Sequence, residues 1–272
     1  MHYGIDIAPL GDLADPRKLV QLAQAAEAAG WEAVFVWDHL GFVWGIPAAD
    51  PWVALAAIAQ ATTRIKLGPA VTPVARRRPQ VLAHTVATLD VLSEGRVIFG
   101  AGLGGVPKEF SAFGESDVAR ERAEKLDEGL ALMDRLWQGE MVSHEGKHYV
   151  MRDVQLAPLP VQRPRVPVWI GAQSQLALRR TARWDGWMIA DDEMPQLTKS
   201  PAWVAEQVAS IHQQRISKNA FDVAMTGRML PSERDLLRKY EAAGVTWWLE
   251  TIQTRFQSFE ELLALVKTGP MD

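Results

Sequence analysis

The 272-residue sequence predicts an α/β chain folded as a single (β/α)8 TIM barrel, and three observations point there. Short apolar runs rich in β-branched and aromatic residues alternate eight times with longer segments of helical periodicity. Those runs are near-continuously apolar, as the strands of a parallel sheet covered on both faces must be. The length suits one barrel of roughly 250 residues better than two small domains, so one domain spanning 1–272 is expected.

The first strand is expected over Tyr3 to Ala8, followed by a helix that Asp15-Pro16 opens and Gly30 closes. A second strand, Ala33 to Trp37, leads to a helix opened by Asp50-Pro51, and a third runs from Ile65 to Val71. The fourth, Arg96 to Ala101, is followed by an extended loop, Gly102 to Val118, and by a helix that stops at Gly139. Gly139 to Pro167 is a second extended stretch, before strand five, reading as a small hairpin and a proline-rich connection. Val166 to Gly171, Gly186 to Ala190, Asp222 to Thr226 and Val245 to Glu250 complete the eight strands. Ser200-Pro201 opens one of the later helices, and Gly244 ends another. Ser258 with Glu261 forms a capping box for the last, which stops at Gly269.

A net charge of −4 with both signs interspersed offers no basic field for a nucleic acid. The sequence has no apolar run of about 18 residues and starts with acids and prolines, so no membrane partner is expected and a cytoplasmic enzyme is. Zero cysteines exclude disulfides, thiolate metal sites and cysteine nucleophiles. Of the eleven tryptophans, most are expected in the core and some along a pocket for a planar ligand.

Two motifs resemble known chemistry in the wrong context. His144-Glu145-Gly146-Lys147-His148 matches the H-E-x-x-H zinc pattern, but a central glycine and the flanking residues point to a hairpin rather than the required helix; no metal is expected. Gly100, Gly102 and Gly105 fit G-x-G-x-x-G after a strand, yet Pro107-Lys108-Glu109 interrupts any immediate helix. Close approach of backbone to a flat ligand is the expected reason for these glycines.

In a barrel, polar groups at the C-terminal strand ends converge on one mouth. Here those ends carry Asp6, Asp38-His39, Gly102 with Glu109 beyond it, Gly171 to Ser174, Asp191-Asp192, Thr226 to Arg228 and Glu250-Thr251. Asp38-His39 suits proton transfer, because a carboxylate can orient a group that titrates near neutrality; a capping Asp beside a structural histidine is the other reading. Glu109 is either a second proton-transfer group, a substrate ligand or a solvated loop acid. The backbone of Gly171, Ala172, Gln173 and Ser174 could bind a phosphate, or Ser174 could cap the next helix. Arg76-Arg77-Arg78 reads as a solvated face before an anion site. Trp37, Phe42 and Trp44 predict an apolar pocket wall.

The run LGPAVTPVARRRPQVLAHTVATLDVLSEGRVIFGAGLGG, with VWDH before it and PVQRPRVPVWIGA, ARWDGW and YEAAGVTWW after it, resembles the luciferase-like flavin-dependent oxidoreductases over almost the whole chain. That resemblance implies F420 or FMN bound at the barrel mouth, against the ends of strands one to four, for hydride transfer to or from a small organic substrate. It also implies a homodimer. By resemblance, Asp38 and His39 match an Asp-His pair near the reactive edge of the ring, and Glu109 matches an acid of the deazaflavin-dependent members. A non-prolyl cis peptide behind the ring would fall at Ala70-Val71. Leu103 stands near where bacterial luciferases place a phosphate-binding arginine, and the segment after the sixth strand is short, departures that speak against light emission.

The pattern favours F420, which restricts chemistry to two-electron hydride transfer, over FMN, which also permits monooxygenation with a partner flavin or F420 reductase. Two rivals are a non-catalytic flavin-binding barrel, and a cofactor-free hydrolase using Asp6, Asp38 and Glu109 as acid and base.

Overall fold

A computed structural model of the chain describes residues 1–191, 197–228, 233–255 and 257–270. Strand β1 (His2–Ile7) leads into helix α1 (Pro16–Ala28), where the Asp15 carboxylate accepts the Arg17 amide at the N-terminus and Pro16 starts the first turn. Strand β2 (Ala33–Val36) is followed by α2 (Pro51–Ala61), capped by Asp50, which accepts from the amides of Trp52 and Val53. The expected third strand is broken in two. Strand β3 (Lys66–Pro69) stops at a cis Ala70-Val71 peptide, and β4 (Thr72–Pro73) continues beyond it before α3 (Pro79–Leu92).

Strand β5 (Phe99–Gly102) precedes a single helical turn, α4 (Lys108–Ser111), and the long α5 (Ala119–Trp137). The antiparallel hairpin of β6 (Val142–Glu145) and β7 (Val150–Val154) stands apart from the main sheet, as the sequence leads one to expect. The remaining units are β8 (Val168–Gly171) with α6 (Gln175–Thr181), β9 (Gly186–Ile189) with α7 (Pro201–Gln214), β10 (Asp222–Gly227) with α8 (Arg234–Ala242), and β11 (Trp247–Ile252) with α9 (Phe259–Lys267). Ser258 and Glu261 form the expected capping box on α9.

The strands pair in parallel in the order β3-β2-β1-β11-β10-β9-β8-β5-β4. A parallel bridge between Leu67 and Val97, with the Ile98 amide donating to the Leu67 carbonyl, joins the two ends and closes the barrel. Counting β4 as the continuation of β3, eight strand positions surround the axis, so the (β/α)8 expectation holds.

Two buried layers follow. The larger lies between strands and helices, and the smaller fills the barrel itself with Phe35, Ile98, Trp169, Met188, Trp247 and Leu249. Phe35 stacks on Trp169 with ring centroids 5.4 Å apart, and Trp169 meets Trp247 at 5.7 Å. This aromatic plug explains where two of the tryptophans, Trp169 and Trp247, go: they close the barrel below its mouth, leaving a cavity above.

Candidate active site

The cavity at the C-terminal ends of the strands has a volume of about 530 Å3, within the range of small-molecule sites. Its wall includes Trp37, His39 and Trp44 from the β2 side, the Ala70-Val71 peptide, Gly102 and Gly171. The cis bond is therefore present where the resemblance puts it, and its two residues line the cavity.

Gly100 and Gly102 of β5 have a packing reason that the sequence does not show. A Cβ on Gly102 would lie 2.5 Å from Val71 Cγ2, and one on Gly100 would collide with the Pro69 carbonyl oxygen. On the neighbouring strand, a Cβ at Gly171 would sit 3.1 Å from Val71 Cγ2. These positions make room for the Pro69 to Val71 bulge, and the bulge in turn forms the cavity wall. A Cβ on Gly105 would meet nothing within 4 Å, so the third glycine of the G-x-G-x-x-G pattern carries no such constraint.

Behind the wall lies a charge network that links three segments. His39 Nδ1 is 2.8 Å from Glu109 Oε1, which also accepts the Leu40 amide at 3.0 Å. The guanidinium of Arg76 donates to Glu109 Oε2 through Nη1, and through Nη2 to Asp38 Oδ1 at 2.5 Å and the Asp38 carbonyl at 2.9 Å. Arg77 Nη2 lies 3.0 Å from Asp38 Oδ2, and the Thr72 hydroxyl donates to that same oxygen at 2.9 Å. Asp38 and Glu109 are both buried. Burial on its own would raise the Glu109 carboxyl, but the His39 hydrogen bond, the charges of His39 and Arg76, and the Leu40 amide outweigh it and hold the group below its ordinary value.

The arginines correct the sequence expectation. Arg76 is 5% exposed and Arg77 28% exposed at the side chain, and only Arg78 is solvated. A run of three like charges read along the chain gave no hint of this, because the one-turn 3-10 helix Val74–Arg76 turns two of them inward. Thr72 was missed for the same reason, since it follows directly on the bulge.

Glu109 is brought beside His39 but fully buried, away from the cavity wall. Asp38 is anchored by two arginines and a threonine rather than serving as a helix cap. Asp6 accepts the indole N–H of Trp37 at 2.7 Å. Glu109, paired with Arg76 and held below its ordinary carboxyl value, is not the protonated carboxylic acid a glycosidase-type hydrolase needs.

Gly171, Ala172 and Gln173 line the cavity, whereas the Ser174 hydroxyl accepts the Ala177 amide as the cap of α6. Asp191 is buried and holds Thr198 and the Lys199 amide; Asp192 lies outside the described residues. Thr226 and Thr251 reach the cavity. His144 and His148 sit on the hairpin and its turn, 3.0 Å from Glu128 and 3.1 Å from Glu124 of α5, so the helix required by a zinc-protease motif does not exist there.

A flat ring system fits this cavity. The planar backbone at Ala70-Val71 and the side-chain-free strand ends at Gly102 and Gly171 form one wall, and His39 presents a ring nitrogen beside them.

Comparison with known proteins agrees. The description of the luciferase-like monooxygenase family matches residues 4–235. The F420-dependent glucose-6-phosphate dehydrogenase of Microbacterium testaceum is 35% identical over 189 residues, covering 67% of this chain and 55% of the relative. The F420-dependent hydroxymycolic acid dehydrogenase of Mycobacterium tuberculosis is 33% identical over 180 residues, 63% of this chain and 48% of the relative. This chain thus spans about half the length of the curated relatives it matches.

Among solved structures, monooxygenase RslO1 from Streptomyces bottropensis superposes with a TM-score of 0.81 at 22% identity, covering 98% of this chain and 97% of the other. An F420-dependent secondary alcohol dehydrogenase in complex with an F420-acetone adduct gives 0.81 at 16% identity over the same shares. At these identities the likeness speaks to the fold, while the family match over residues 4–235 speaks to descent: the chain belongs to the luciferase-like monooxygenase family.

Proposed function

We propose that this protein is an F420-dependent oxidoreductase that moves a hydride to or from a small, largely apolar organic substrate, with FMN as the alternative cofactor. The observation that carries this reading is His39, bound through Nδ1 to the buried carboxylate of Glu109 while its ring lines the cavity beside Ala70-Val71. Both curated relatives named above are F420-dependent dehydrogenases, which supports F420 over FMN.

When bound, the cofactor supplies the hydride donor or acceptor. Ala70, Val71, Gly102, Gly171, Ala172 and Gln173 hold its ring and flanks, and the buried Asp38 fixes the strand end on which His39 stands. His39 exchanges the substrate proton through Nε2, the ring nitrogen left over once Nδ1 is committed to Glu109. Glu109 serves that exchange as the anionic partner of the imidazole. Trp37 and Trp44, with ring centroids 5.9 Å and 5.3 Å from His39, exclude water and favour an apolar substrate. Ser174 contributes through the α6 cap.

The working assembly in this reading is a cytoplasmic homodimer supplied by a flavin or F420 reductase. The exposed valines Val53 on α2 and Val81 on α3 offer apolar surface for the dimer contact.

Fluorescence titration of the purified protein with F420 and with FMN tests the reading. Saturable F420 binding in wild type, with turnover of a panel of apolar alcohols and ketones lost in His39→Ala, is the expected result. Binding of neither cofactor overturns it.

A further inference from the structure

Among the described residues, Arg76 is the one side chain that touches both Asp38 and Glu109. It comes from the turn after the cis peptide, meets Asp38 from the end of β2 and Glu109 from α4, and is 5% exposed. An arginine in that position offers a planar fork of donors, and here one arm serves each carboxylate. The two acids are consequently bound to one another through a single cation, although 71 positions in sequence separate them.

The ionised Glu109 can only accept hydrogen bonds. It receives Arg76 on Oε2, and the Leu40 amide and His39 on Oε1. A neutral imidazole facing an acceptor must carry its proton on the facing nitrogen, so Nδ1–H points at Glu109 and Nε2 keeps its lone pair on the cavity side. We propose that Arg76 is the positioning residue of this site: by bridging Asp38 and Glu109 it keeps Glu109 an anion against His39 and so fixes which ring nitrogen meets the substrate. The inference rests on the proposed role of His39.

The other charged groups around His39 are consistent with this assignment. Asp38 precedes it on its own strand end and is neutralised by Arg76 and Arg77. Asp6 of β1 engages Trp37, whose ring lies between the first strand and His39. Asp191 and Arg255 also line the cavity. Arg76 is the cation in direct contact with the carboxylate that holds the imidazole.

The test is solution NMR on the full chain without cofactor, so that it does not depend on turnover. In wild type, the 15N shifts of the neutral His39 ring should report a proton on Nδ1, and a proton on Nε2 overturns the proposal. In Arg76→Gln, the Glu109 carboxyl carbon should titrate at higher pH than in wild type, because an adjacent cation has been removed. An unchanged Glu109 titration overturns it. Arg76→Lys keeps the charge but not the fork, and should recover most of the wild-type titration. If Arg76→Gln does not fold, the wild-type tautomer and the Lys variant decide, a Lys titration as high as that of free glutamate refuting the idea. Loss of F420 binding in wild type would instead defeat the functional reading and leave these NMR outcomes interpretable.

Discussion

The three glycines of the G-x-G-x-x-G run should respond to alanine in sharply different ways. Gly102→Ala places a methyl 2.5 Å from Val71 Cγ2, well inside the 3.0 Å that real Cβ atoms keep. Val71 is β-branched, stiff at χ1 and part of the cavity lining, so the clash moves the cavity wall instead of a free side chain. Overpacking of that kind costs about 1–3 kcal/mol. For a chain of this size that lowers Tm by roughly 2–4 °C per kcal/mol.

At Gly100 the obstacle is the Pro69 carbonyl, which is backbone and cannot rotate away, so Gly100→Ala should cost about 3 kcal/mol or more. Gly105→Ala meets open space and should stay within about 0.5 kcal/mol of wild type. Denaturant melts of the three variants give the order, and F420 titration shows whether Gly102→Ala also weakens binding. A phosphate-cradling loop predicts that Gly105 is as sensitive as the others. Equal destabilisation at 102 and 105 would refute the packing explanation.

Three further outcomes follow from the same structure. The Glu109 carboxyl is held below its ordinary value, so its interactions stabilise the fold fully above that ordinary value and the benefit is lost as pH falls through the folded value; the stability gap between wild type and Glu109→Gln in urea melts should be widest near neutrality and close in acid. Glu124 is drawn down to about 2, chiefly by Lys147 and His148 of the hairpin, so its carboxyl should titrate near 2 by NMR in wild type and rise toward the ordinary value in Lys147→Ala. Asp50→Ala removes a cap that receives two amides and should cost about 1 kcal/mol in thermal unfolding, with cofactor binding unaffected.

Local chemistry was legible along the chain. Asp15, Asp50, Ser200 and Ser258 each cap the helix expected of them, since a capping bond spans two or three residues. Gly30, Gly139, Gly244 and Gly269 all adopt positive φ at helix ends. The eight apolar runs all appear as strands within a few residues, because a strand buried on both faces has a composition that no solvated segment shares. The hairpin around Gly146 followed from turn residues alone. Asp38, His39 and Glu109 were singled out by their position at strand ends and by resemblance, and the fold does assemble them into one network.

What depended on tertiary structure was direction and distance. Nothing in the sequence Arg76-Arg77-Arg78 distinguishes an arginine buried between two acids from one in solvent, because that difference arises only when segments 33 to 71 residues apart meet. The same holds for Gly100 and Gly102, whose missing side chains answer to a bulge on the neighbouring strand instead of to a motif. Glu109 is the sharpest case. Sequence identifies an acid beyond a barrel strand, but only the closed barrel, which sets α4 against the end of β2, turns that acid into the buried partner of His39. Propensities and caps act over a few residues and are written in the chain; electrostatic partnership depends on which segments the hydrophobic closure of the barrel brings together.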